Sequence, residues 1–301
     1  MSDIILITGA TGNVGRELVS LLHKSGQPIR AAVVSEAEAA SLPPDVPWCV
    51  FDFTNPRTFP AAFAGVDRLF LMRPPHLSNI QRDIKPAIEF AAQSNVRQIV
   101  FLSLLGAERN PVVPHAKVET LLQKGAVPYT LLRCGFFMQN LSTTHRDDIR
   151  AANDIFIPAG MGKTAFIDVR DIAAVATKVL TEPGHEYKAY ALTGSEALNY
   201  QEVAQLMTAV LKRPITYSRP SLVRFAWRKW RAGWPAAYVG VVSGIYLTTQ
   251  LGLAQEITED VPALLGRPPL TMRQFVRDHA AVWETEPASS INAHNMKEVL
   301  S

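Results

Sequence analysis

Apolar positions along this chain fall into short runs separated by segments of helical period, beginning with Ile4, Ile5, Leu6 and Ile7. Such a run, closed by a glycine turn, reads as a buried strand, and the segment 17–22 behind it reads as an amphipathic helix. The alternation continues. Strands are expected over 29–34, 50–53, 67–72, 98–103 and 129–133, with helices over 56–64, 83–94 and 115–123 among them. In the 83–94 segment, Ile84, Ile88 and Ala91 or Ala92 share one face. Short strands alternating with helices predict an α/β fold built on a doubly wound parallel sheet, with ligands bound beyond the carboxyl ends of the strands.

The pattern changes near residue 150. A helix running to Leu180, a strand over 187–192, a helix over 199–211 and a short strand over 215–217 lead into a mainly helical stretch over 221–283. We therefore divide the chain into a nucleotide-binding domain, 1–150, with elements of 160–195 packing back on it, and a smaller, mostly helical substrate lobe, 151–285. Residues 286–301 have little apolar periodicity and read as a mobile tail.

The 301 residues are 48% apolar and 19% charged, the balance of a folded globular chain. A net charge of +3 is small for this length and gives no reason to expect a nucleic-acid partner. Cys49 and Cys134 each lie in an apolar run and read as buried free thiols in a reducing compartment. The chain opens almost at once on a core strand, leaving no room for a cleaved leader, and its longest apolar region, 236–247, is too short to span a bilayer. The expected location is the cytoplasm. Histidines at 23, 76, 115, 145, 185, 279 and 294 show no paired zinc spacing, so no metal is expected, and no Gly-x-Ser-x-Gly elbow marks a serine hydrolase.

The most informative residues join the first strand to the first helix: Thr8, Gly9, Ala10, Thr11, Gly12, Asn13, Val14 and Gly15. A buried strand, a glycine turn and a helix start form a Rossmann-type cradle for a dinucleotide pyrophosphate. Glycines allow tight turning and close backbone approach, while the helix start offers free N–H groups. The expected cofactor is NAD(P). The choice between NAD and NADP stays open. Glu36, 21 residues beyond Gly15, could meet a ribose diol or be a solvated loop acid; Ser35 could bond either cofactor; Arg16 could reach a 2′-phosphate. Beyond the fourth strand, Leu71, Met72 and Arg73 should pass beside the ribose and nicotinamide. Arg73 could face an acidic group, a cofactor phosphate or a salt-bridge partner at the rim. Phe136, Phe137 and Met138 follow the sixth strand, where they could border an apolar pocket or pack in the core, with Gln139 and Asn140 as orienting amides.

Several segments in one order carry a resemblance: 8–15, 65–70, 115–119, 128–133 with 137–140, 166–173 and 260–269. With them the chain resembles the NmrA-like family of atypical short-chain dehydrogenases/reductases. The family includes NAD(P)H-dependent quinone and dye reductases and also cofactor-sensing regulators. The resemblance implies that Asp52 recognises the adenine edge, unless it caps the turn with Asn55 and Pro56, and that Ser103 faces substrate, unless it caps a strand end. It also implies that Lys117 holds ribose or assists protonation; a surface pairing with Glu119 or Glu108 is the competing role. Ordinary short-chain dehydrogenases carry Tyr four residues before this Lys as proton donor. Here the position is Val113, which cannot transfer a proton.

Two functions are therefore weighed. One is hydride transfer from NAD(P)H to a quinone or other conjugated small molecule, with protonation from solvent. The other is a non-catalytic NAD(P) sensor that binds a partner protein. The 219–234 stretch carries Arg224, Arg228, Lys229 and Arg231 among Phe225, Trp227, Trp230 and Trp234. It reads as a lid with an aromatic face over the pocket and a basic face in water, or as a membrane-surface helix. Whether the chain works alone or as a homodimer stays open.

Overall fold

A computed structural model describes residues 3–284. The first half alternates β1 (Ile4–Ile7), α1 (Asn13–Lys24), β2 (Ile29–Val33), α2 (Glu36–Ala39), β3 (Trp48–Val50), α3 (Phe59–Phe63), β4 (Val66–Leu71), α4 (Ile80–Asp83), α5 (Lys85–Gln93), β5 (Gln98–Leu104), α6 (Pro114–Lys124) and β6 (Tyr129–Cys134). The second half runs α7 (Arg146–Ala152), β7 (Asp154–Ile155), β8 (Thr164–Ala165), α8 (Val169–Thr181), β9 (Lys188–Leu192), β10 (Ala197–Leu198), α9 (Tyr200–Leu211), β11 (Thr216–Tyr217), α10 (Leu222–Arg231), α11 (Ala236–Gln250), α12 (Asp260–Leu265) and α13 (Met272–Asp278).

Seven parallel strands form one sheet in the order β3-β2-β1-β4-β5-β6-β9. The order reverses between β1 and β4, which opens a crevice at their carboxyl ends, the switch point where such sheets take ligands. One face is covered by α1 and α8 through Leu18, Leu22, Ile172 and Val179; the other carries α3, α5 and α6 through Phe59, Ile88 and Val118. A third apolar cluster, from Met138 to Trp283, gathers α7, α9, α10, α11 and α13, while α12 packs through Val261 with α8 on the first face of the sheet. The mobile tail expected over 286–301 lies outside the described residues.

Three local expectations are corrected. The strand expected over 50–53 is instead Trp48–Val50. Phe51 and Phe53 are apolar because they pack edge-on at 4.8 Å within an aromatic cluster, while Asp52 between them caps a turn. The helix expected over 83–94 starts earlier and is interrupted at Ile84, ahead of Pro86, whose missing N–H cannot continue the ladder. Both cysteines are free as expected, but Cys49 is only half-buried.

The basic aromatic stretch folds as α10, with its faces not sorted as expected. Phe225 and Lys229 are buried, whereas Trp227 and Trp230 are 57% and 60% exposed. Lys229 tolerates burial because its Nζ lies 2.8 Å from Asp148 Oδ2 and 4.9 Å from the Trp234 ring. Among the described residues, no helix is long and apolar enough to cross a membrane.

Candidate cofactor and substrate site

The carboxyl end of β1 is locked to that of β4 by one side chain. The Thr8 hydroxyl donates to Phe70 O at 3.0 Å and accepts from Met72 N–H at 2.8 Å. Gly9 then turns with φ +64°, and Gly12 N–H closes on Gly9 O at 3.0 Å. A Cβ on Gly15 would lie 2.0 Å from Gly9 O, so only glycine lets the first turn of α1 press onto the loop. Gly12 caps α1 with no side-chain bond, so no side chain competes for the N–H groups at the helix start. Ala10 and Val14 point into the core and can offer only backbone, while Thr11, Gly12 and Asn13 line the open side. Met72 closes the floor of this loop, its Cε 1.9 Å from where a Gly9 Cβ would stand; Leu71 before it is fully buried.

The second wall is the end of β2. Ser35 caps α2, its Oγ accepting from Glu38 N–H at 3.3 Å. Glu36, the acid singled out in the sequence, is exposed in the first turn of α2. Asp52 accepts from Thr54 N–H at 2.8 Å and Thr54 Oγ1 at 2.7 Å through a single oxygen, so the turn uses one side of the carboxylate.

Arg73 is turned back on its own loop. Its Nη1 donates to the carbonyls of Pro74, Pro75 and Leu77 at 2.7, 3.1 and 2.9 Å, and its buried Nε has no hydrogen-bond partner. Burial lowers the pKa of this guanidinium, and its charge joins burial in holding His115 at a pKa of about 4. His115 is thus a neutral imidazole, its ring 6.1 Å from that of Phe101.

Val113 sits at the N-cap of α6, one turn before Lys117. Lys117 is exposed and makes none of the ion pairs found among the described residues, because the acids that could have paired with it are engaged elsewhere. Glu119, 3% exposed, takes Arg133 Nη2 at 2.7 Å and the Ser103 hydroxyl at 2.5 Å; Glu108 pairs with Arg109. The Ser103 proton is therefore directed at Glu119. Phe136 and Phe137 are half-buried; Phe136 O accepts from Ile167 N–H at 2.8 Å and Met138 N–H donates to Ile167 O at 2.9 Å, and the Phe136 ring lies 6.4 Å from that of Tyr246. Asn140 is also half-buried, whereas Gln139 is spent on structure, donating to Asp168 Oδ1 at 2.8 Å and accepting from Val169 N–H at 3.0 Å.

The glycine cradle at the switch point, the Lys117 ammonium on α6 and the aromatic rim after β6 all follow the carboxyl ends of strands of the one sheet. The sequence model of the NmrA-like family matches residues 1–225. This chain belongs to the NmrA-like family. An NAD(P)H azoreductase of Xenophilus azovorans is 34% identical over 93% of this chain and 99% of its own length. The solved NADPH-dependent quinone oxidoreductase of Escherichia coli, complexed with NADPH, superposes with a TM-score of 0.82 at 26% identity, covering 93% of this chain and 100% of that one. The Citrobacter sp. triphenylmethane reductase complexed with NADP(H) shares the fold at 24% identity and a TM-score of 0.78, over 91% of this chain and 99% of that one.

In this NmrA-like protein two features escaped the sequence reading. Glu38, two residues beyond Glu36, reaches the glycine loop: its carboxylate accepts from the Thr11 hydroxyl and, at 2.8 Å, from Val34 N–H. At the start of α7, buried His145 bonds Tyr246 Oη at 2.6 Å, and burial holds its pKa near 3 while pushing the Tyr246 phenol up. No local signal marks the His145 pair, whose members stand 101 positions apart. Among the described residues, no group of three or more His, Cys, Asp or Glu could hold a metal ion. A groove of about 260 Å³ lined by Lys85, Ile99, Leu121 and Val127 opens at the amino ends of β5 and β6, away from the cradle.

Proposed function

We infer that this chain is an NAD(P)H-dependent oxidoreductase that reduces a quinone, azo dye or similar conjugated small molecule by hydride transfer. One observation carries the reading. The Gly9–Gly15 cradle, with its uncapped helix start, stands at the sheet's switch point in a chain collinear with 99% of an NAD(P)H azoreductase.

The residues present fit a dinucleotide. N–H groups at the start of α1 suit its pyrophosphate, and Lys117 is free to meet a ribose hydroxyl. When bound, the cofactor supplies the hydride. The chain's own work is to hold and to shield. Met72 and the loop of 74–77 that Arg73 organises border the cradle on the β4 side, while Phe136, Phe137 and Asn140 give a flat acceptor an apolar edge with one orienting amide. With Val113 in place of a phenol, the acceptor's proton comes from solvent or from Lys117. In this reading residues 1–150 bind the cofactor, the lobe over 151–285 brings the acceptor, and the setting is the cytoplasm.

The test mixes purified protein with NADH or NADPH and a panel of quinones and azo dyes, and follows loss of reduced-cofactor absorbance. Turnover is expected. Its absence with every acceptor, together with tight binding that discriminates NADP⁺ from NADPH, overturns the reading in favour of a sensor. Lys117→Ala is expected to raise the cofactor KM by about tenfold, the worth of one charge-assisted hydrogen bond. An unchanged KM and kcat would remove Lys117 from the site.

A further inference from the structure

Between the end of β2 and the glycine loop lies one carboxylate that the cradle's geometry does not require. Glu38 takes the Thr11 hydroxyl through Oε1 and Val34 N–H through Oε2, so it bridges the two walls. It is firmly placed. Its own N–H bonds Ser35, its carbonyl accepts from Ser41 Oγ at 2.8 Å, and α2 is anchored by buried Ala39. In a sheet of this topology, the gap between the second strand's end and the first glycine turn receives the adenosine ribose. Val34, the residue that leads out of β2, is 66% exposed and offers no charge there. Arg16 on α1 brings a cation to the loop, its Nη2 donating to Thr11 O at 3.2 Å.

We propose that Glu38 is a cofactor-selecting residue, favouring a ribose with a free 2′-hydroxyl over one carrying a 2′-phosphate. The proposal rests on reading the site as an NAD(P) cradle. An ionised carboxylate has two oxygens and can accept from both hydroxyls of a vicinal diol, exchanging its bonds to Thr11 and Val34 for them. A 2′-phosphate removes one donor and brings about two negative charges to the same place. Like charges a few ångströms apart in a partly desolvated gap repel strongly. Arg16, exposed on α1, offsets only part of that repulsion. NADH is therefore the preferred donor.

The experiment measures dissociation constants for NADH and NADPH by fluorescence titration without any acceptor, then kcat/KM for each with a quinone. Wild type is expected to bind NADH at least about tenfold more tightly than NADPH, the scale of one unfavourable charge contact. Glu38→Gln should shrink that ratio severalfold, chiefly by tightening NADPH, and Glu38→Arg should reverse it. Wild-type preference for NADPH, or a ratio unmoved by Glu38→Gln, overturns the proposal. The wild-type ratio needs no variant to fold. Because binding is read without turnover, a discriminating protein that reduces no acceptor would sink the proposed activity and leave the role of Glu38 standing.

Discussion

At the residue scale the cradle is a matter of what cannot be there. Gly9 holds a left-handed φ, and Gly15 meets a backbone carbonyl where any Cβ would stand. Gly15→Ala must push α1 off the loop. We expect it to cost about 1–3 kcal/mol, as other overpacked sites do, seen as a lower urea midpoint at unchanged slope, with weakened cofactor binding beside it. These glycines were legible in the sequence because their constraint is local: strand, turn and helix start are consecutive. The acid was only half legible. Glu36 stands open in the sequence between a ribose contact and a solvated loop acid; in the structure it is exposed, and Glu38 is the acid that reaches Thr11. Arg73 shows the same limit, since nothing in Arg-Pro-Pro announces that the guanidinium will fold back on three carbonyls.

At the scale of elements, buried charge does much of the joining. Glu119 on α6 binds Ser103 of β5 and Arg133 of β6, tying a helix to two strands where they meet the crevice. Removing the carboxylate leaves Arg133 with only Glu108 at 3.5 Å. Glu119→Ala is expected to destabilise by about 3 kcal/mol in denaturant titration, at the low end for a broken buried pair because Glu108 remains. The segment 166–173, which carried part of the family resemblance, proves to be structural. Asp168 caps α8 through Arg170 N–H at 2.9 Å and holds Gln139, while Arg170 also reaches Asp278 at 2.7 Å. Period and punctuation gave most elements their place. They failed at Phe51 and Phe53, where apolar residues serve a cluster rather than a strand, and at Pro86, where one helical period spans two helices.

At the scale of the whole molecule, the joining of α7 to α11 depends on neutral histidine. His145 bonds Tyr246 of α11 from the start of α7, and burial, with Lys229 nearby, lowers its pKa from 6.5 to about 3. The unfolded chain binds this proton near pH 6.5 and the folded chain does not. Stability therefore rises with pH across the window from about 3 to 6.5 and is lost as pH falls through it. At pH 5 the loss from His145 alone is about 2 kcal/mol relative to pH 7. His115, held near 4, adds a term of the same sign. Urea unfolding at pH 7 and pH 5 should show the fall, and His145→Gln should remove its share of the pH dependence. An equal slope in that variant would mean that His145 titrates normally in the fold.

The sequence by itself determined the alternation of strands and helices, the cofactor cradle and the family. These follow from periodicity and from residues next to one another, where backbone sterics act within a few positions. Tertiary structure decided which acid reaches the glycine loop, that Ser103 gives its proton to Glu119, and that Lys229 is buried while Trp227 and Trp230 are exposed. The reason is physical. A charge can enter the core only where a partner awaits it, and for Lys229 that partner is Asp148, 81 positions away along the chain.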